Sequence, residues 1–216
     1  MATNVHRIRP GDRIGNYLVL DVIGEGSYGR VFHVQDKRSH EEFALKFETK
    51  NRSLLQHESQ VINEIHRIAP GGFAPEIPAA KIVHIENGVF LRKIFIVDFG
   101  LSRKYLDKNG QHVPLLYRQG TRGTLAYMSI NTQQGISMSR RDDIESLSYV
   151  AIFLAKGSLP WSQVNLQDKA KMYQDALFLK KRVNQYELCR ELPPVFLEFL
   201  KYARQMKFAQ QSEYTP

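Results

Sequence analysis

Three glycines within six residues constrain this chain more than any other feature. They stand at 24, 26 and 29 in Ile23-Gly24-Glu25-Gly26-Ser27-Tyr28-Gly29-Arg30-Val31. Glycines at this spacing let backbone N–H groups approach phosphate oxygens closely, because no side chain stands between them. The flanks decide what fold can carry them. A glycine cluster that binds a dinucleotide opens a helix. Here Val31-Phe32-His33-Val34 continues as a strand, and Glu41 to Phe47 supplies another. Residues 17–47 alternate apolar and polar residues around the glycines, so three strands are expected. A plain hairpin with a glycine turn is the simpler alternative for this stretch taken alone.

The next segments add chemistry in a fixed order. In Phe43-Ala44-Leu45-Lys46, alternation places Ala44 and Lys46 on one face of a strand. A surface lysine on an edge strand is the bland alternative. Leu54, Leu55, Val61, Ile62, Ile65 and Ile68 then recur at helical spacing, so a helix is expected over 52–68, stopped by Pro70-Gly71-Gly72. Glu58 falls on the apolar face of that helix. A lone buried carboxylate is costly, so it needs a partner, and Lys46 is the obvious one. Glu64 lies off the stripe and fits a solvated acid. Ile94 to Val97 reads as a short buried strand ending in Asp98-Phe99-Gly100, a carboxylate and a flexible glycine suited to holding magnesium beside phosphates. Helical patterns follow at about 142–156, 166–182 and 194–207. Strands first and helices later imply an α+β chain with a small β-rich lobe and a helical lobe.

These four motifs, in this order, resemble a eukaryotic protein kinase. Arg122-Gly123-Thr124, Ser129-Ile130-Asn131 and Ser139-Arg140-Arg141-Asp142-Asp143-Ile144-Glu145-Ser146-Leu147 are similar to the casein kinase I group, as are Leu159-Pro160-Trp161 and Leu192-Pro193-Pro194. The Arg-Gly-Thr and Leu-Pro-Pro forms lean toward its tau-tubulin-kinase-like branch. The resemblance covers about residues 17–72 and 93–214. It implies a bilobal fold that takes ATP and magnesium and transfers phosphate to protein Ser or Thr. Ile23, Gly24, Gly26, Ser27, Gly29, Val31, Ala44 and Lys46 would line the nucleotide, with room for adenine beside Ala44. Glu58 would hold Lys46 toward the phosphates, and Asp98, with Asn87 as a second candidate, would bind magnesium. Asp143 would be the buried aspartate of a central helix that anchors the catalytic loop. The implied domains are a polar arm at 1–16, an N-lobe over 17–92 with a shortened connection, and a C-lobe over 93–216.

The chain departs from that family at one place. Glu58 and Asp98 are 40 residues apart, roughly half the family's interval, and no Asp occurs from 59 to 97. The catalytic base of the His-Arg-Asp loop therefore has no matching residue, and the fold is expected to be internally truncated. His84 reads as part of a hairpin over 82–91 with a turn at Asn87-Gly88, rather than as a remnant of that loop. The central helix is expected to show an apolar face unless something covers it. An active kinase, a pseudokinase that binds nucleotide or a partner, and an exon-skipped fragment of an active kinase remain open, with activity expected to be impaired. An Ala126 and a Met172 replace the basic residues that would read phosphate-primed substrates. The formal charge of +8 reads first as a soluble basic surface, because the basic residues are scattered; an acidic protein partner is the sharper alternative, and nucleic acid has only the net charge in its favour. One cysteine, Cys189, and no long apolar run point to an intracellular chain, cytoplasmic or nuclear, with no membrane span and expected as a monomer.

Overall fold

The computed structural model of the chain describes residues 8–26, 29–48, 52–68, 82–84, 99–162 and 168–212. Met1–Arg103 and Lys104–Pro216 form two compact units. The first unit carries a five-stranded antiparallel sheet in sequence order: β1 Arg13–Ile14, β2 Tyr17–Gly26, β3 Gly29–Asp36, β4 Glu42–Glu48 and β5 Ile82–His84. Strands β2 to β4 are the three that the alternation over 17–47 implies. The alternation also sets their register. Val19 lies opposite Val34, and Phe32 opposite Leu45. All four are buried on one face, where Val22, Phe43 and Phe47 pack against them. Burial of such side chains contributes about 1.5–3 kcal/mol each.

Part of the segment read as a polar arm belongs to this sheet. Ile8 is buried in the same core, and β1 pairs with β2. The reversal rests on Gly15, whose φ of 60° an L side chain tolerates poorly. The amides of Gly11 and Val19 then bond across to Val19 O and Asp12 O at 2.8 and 2.9 Å. Two apolar residues, Ile8 and Ile14, are too few to show a period, so a reading based on alternation passes over them.

Helix α1, Arg52–Ile68, occupies the span expected for it, and a 3₁₀ turn follows at Phe99–Leu101. Strand β5 pairs antiparallel with β4, Ala44 facing Val83. It falls within the span read as a hairpin over 82–91; the rest of that span, with its turn at Asn87-Gly88, and the strand expected over 94–97 lie outside the described residues.

The second unit is helical: α2 Ile130–Gln133, α3 Arg140–Lys156, α4 Lys169–Arg182, α5 Gln185–Leu188 and α6 Pro194–Gln205. The three long helices match the expected ones within a few residues. The four-residue helices α2 and α5 were not foreseen, since one turn shows no periodicity. Tyr149 and Ile152 of α3 pack with Leu159, Trp161, Ala176, Leu188 and Leu200 in the core. The indole N–H of Trp161 donates to Ala126 O at 2.7 Å, which satisfies its only polar atom. Helix α3 stops at Gly157, left-handed at φ 76°, whose N–H bonds back to Phe153 O. Its packed face carries Asp142, Glu145, Ser148, Tyr149 and Ile152. On its other face Leu147 and Leu154 are 54% and 77% exposed, as the sequence led us to expect. Among the described residues no helix is long and apolar enough to cross a membrane.

Candidate nucleotide site and the helical network

The glycine cluster forms the tip of the β2–β3 hairpin. Gly26 lies opposite Gly29, Gly24 opposite Val31, and Val31 opposite Lys46 on β4. Gly24, Val31 and Lys46 thus form one row across three strands. Residues that pair directly project to the same face, so Val31 and Lys46 share the face opposite the Phe32–Leu45 core, and Ala44 joins them two residues along. A strand, not a helix, follows the glycines, which removes the dinucleotide alternative. Ile23, at the edge of this row, is half exposed.

Gly24 is not demanded by the fold. A Cβ built there meets Val31 Cβ at 3.6 Å, an ordinary contact, and nothing closer. Without a side chain at 24, this backbone edge is open to approach from outside.

Lys46 carries its ammonium to Glu58 of α1, with Nζ 3.1 Å from Oε2. This is the pair expected from the apolar placement of Glu58, which is 9% exposed. The second oxygen of Glu58 accepts the N–H of Phe99 at 3.1 Å. One carboxylate therefore joins the lysine strand to the turn that follows Asp98. Charged partners make each such bond stronger than a neutral one. The side chains of Lys46 and Glu58 are part-shielded from water, so salt screens the pair less than a surface one. Ser27, Asn87 and Asp98 lie outside the described residues. The groups described here offer a magnesium nucleotide a glycine-lined backbone edge and an ammonium held by a carboxylate, which is the donor chemistry that phosphates need.

Asp143, expected to be the buried aspartate of the central helix, is the exposed one of its pair, and Asp142 is buried. The protein mass around the Asp143 carboxyl still raises its pKa to about 6, and the Asp142 charge adds to the rise. Asp142 takes the structural work. Its Oδ1 accepts the Ser129 hydroxyl at 2.6 Å and its Oδ2 the Ser139 N–H at 2.8 Å. Ser129 in turn caps α2 by accepting Thr132 N–H at 3.0 Å. Glu145, one turn on, accepts Ile130 N–H at 3.2 Å and the Tyr149 hydroxyl at 2.5 Å. Two acids of α3 thereby hold the Ser129-Ile130-Asn131 segment. The Ser-x-x-Asp spacing of 139–142, a helix-start signature, was the signal that could have singled out Asp142.

A second group passed over by sequence reasoning is Lys180, fully buried on α4. Its three N–H bonds match three oxygens: Leu125 O at 2.7 Å, Met128 O at 2.6 Å and Gln133 Oε1 at 3.0 Å. Burial lowers its pKa to about 7, a fall resisted by Glu145 and aided by Arg204. Arg204 itself donates to the Tyr149 hydroxyl and Lys180 O, both at 2.9 Å. Lysine on a charged helix face is normally solvated, and no local pattern distinguishes this one.

A sheet with a glycine-tipped hairpin and a Lys–Glu pair, followed in the chain by a helical unit, is the α+β composition of a protein-kinase-like fold, with a small β-rich lobe and a helical one. Sequence similarity narrows the class. Over 204 residues, 92% of its length, the chain is 31% identical to Casein kinase I homolog 2 of Schizosaccharomyces pombe. The match takes in 44% of that protein, so the chain spans less than half the length of this curated relative. No family model matches the chain. The likeness supports the resemblance read from the motifs at the level of a casein kinase I-like protein kinase.

Proposed function

We propose that this chain is a casein kinase I-type kinase-domain protein that binds ATP with magnesium and transfers phosphate no faster than a trace rate. The joint held by Glu58 carries the binding half of this reading: Lys46 Nζ on one oxygen, Phe99 N–H on the other. That joint sets an ammonium and the turn after Asp98 in fixed relation, as phosphate and magnesium binding require. The catalytic half rests on the interval from 59 to 97, which holds no Asp to serve as base. A general base alone is worth about 10²–10⁴-fold, and loss of its loop also removes substrate positioning. Ile23, Gly24, Gly26, Ser27, Gly29, Val31 and Ala44 would line the nucleotide, and Asp98, with Asn87, would hold magnesium. The tau-tubulin-kinase-like branch, an acidic protein substrate or partner, a monomeric state and an intracellular location, cytoplasmic or nuclear, belong to the same proposal.

The test separates binding from chemistry. A non-hydrolysable ATP analogue with magnesium should raise the melting temperature of the wild type, while Lys46→Met should lose that rise. No shift at saturating analogue would refute nucleotide binding. Radiolabelled ATP with a protein substrate should give only trace incorporation. Turnover equal to that of a full-length relative would refute impairment. Binding without incorporation would make the chain a pseudokinase module, the second reading that the missing Asp favours.

A further inference from the structure

Helix α1 holds the turn after Asp98 with two consecutive side chains. Glu58 takes the N–H of Phe99 at 3.1 Å. His57 Nε2 stands 2.8 Å from the carbonyl oxygen of Ser102. A carbonyl oxygen only accepts, so Nε2 carries the proton and donates. The turn is closed on itself by Ser102, whose N–H and hydroxyl both donate to Phe99 O, at 3.0 and 2.6 Å. Four links make a ring: Glu58 to Phe99, Phe99 to Ser102, Ser102 to His57, and His57 back to Glu58 through one peptide bond; Lys46 branches from it at Glu58.

One bond would leave the turn free to pivot about the Phe99 amide. Two bonds, three residues apart on the turn, fix its orientation as well as its position. His57 thus adds what the Glu58 contact lacks. The Phe99 turn and His57 are both only partly shielded, so water competes for these groups and the gain from the bond is modest.

We propose that His57 is a positioning residue of the nucleotide site. By holding Ser102 it sets the orientation of the turn next to Asp98, and through it the magnesium-dependent part of nucleotide binding. The second clause rests on the nucleotide reading given above; the first does not.

The experiment uses the full chain with His57→Leu, which removes the donor, and His57→Gln, which keeps one at similar reach. Two quantities are read. The first is amide hydrogen exchange at Phe99 and Ser102, with the β2–β3 amides as an internal control for folding. The second is the ratio of affinities for a non-hydrolysable ATP analogue with and without magnesium. His57→Leu should speed exchange at both amides and cut the magnesium enhancement, each by about two- to tenfold, the range of one hydrogen bond. His57→Gln should restore most of both, and the β2–β3 amides should not change. Wild-type exchange at Phe99 and Ser102 in His57→Leu would overturn the proposal. Faster exchange with an unchanged magnesium enhancement would overturn its second clause. If the wild type binds no nucleotide under either condition, the nucleotide reading fails and takes that clause with it, while exchange still decides whether His57 holds the turn.

Discussion

Gly24 and Lys180 show how much a single residue can carry that its neighbours do not announce. The backbone at Gly24 leaves room for a methyl group, with Val31 Cβ 3.6 Å away. Gly24→Ala should therefore leave the melting temperature unchanged or slightly raised, since alanine restricts the unfolded chain. The same change should weaken ATP-analogue binding, measured by titration calorimetry, because the added carbon stands where the nucleotide would approach. Lys180 makes a prediction about pH. Folding lowers its pKa from 10.5 to about 7. Above pH 7 the native lysine gives up a proton that the unfolded chain keeps, so stability should rise with pH. The rise should be no more than about 1.4 kcal/mol per pH unit. It should show between pH 7 and 9. Toward higher pH the thiol of Cys189 and the hydroxyl of Tyr149, both pushed up by burial, hold their protons more firmly in the native state than in the unfolded chain and act in the opposite sense. Urea melts at pH 7, 8 and 9 check this, and Lys180→Met should flatten the slope.

At the scale of elements, the start of α3 is the most connected point of the helical unit. Asp142→Ala leaves the buried Ser139 N–H without its acceptor and takes from the Ser129 hydroxyl the nearer of its two, Thr132 Oγ1 remaining at 2.9 Å. It should cost about 2–4 kcal/mol in denaturant melts. Asp143→Asn should cost nothing and is expected to stabilise at pH 7, because folding raises the pKa of that carboxyl to about 6 and so disfavours its charged form. An anchoring role for Asp143 in this chain would predict the reverse order. The two acids also show what was legible in the sequence. Strands β2 to β4 and helix α1 could be read because their buried positions recur with period 2 or 3.6. Lys46 and Glu58 could be paired because a carboxylate on an apolar stripe needs a cation. Asp142 and Asp143 are chemically alike and adjacent, and apart from the Ser-x-x-Asp spacing that starts at Ser139 only the rotation of α3 tells them apart. His57 and Lys180 owe their roles to carbonyl oxygens, at 102 and at 125 and 128. Backbone oxygens are present at every residue and leave no mark in a sequence.

For the whole molecule, the two units rest on different resources. The sheet unit has a small apolar core, from Ile8 to Leu45, with the glycine row on the opposite face. The helical unit has a larger one, around Tyr149, Ile152 and Trp161, together with the polar ties of Asp142, Glu145 and Lys180. Its longest helix is nonetheless satisfied on one side only. Replacing both Leu147 and Leu154 by Lys should lower the binding of a hydrophobic dye while moving the melting temperature by no more than about 0.5 kcal/mol equivalent, since neither side chain is buried. A loss of several kcal/mol would show that the face is covered in solution. Leucines that face water give encounters between chains a chance to stick, and such encounters grow with the square of concentration. The open side of α3 therefore bears less on how hot a solution of this protein can become than on how long a concentrated one stays clear.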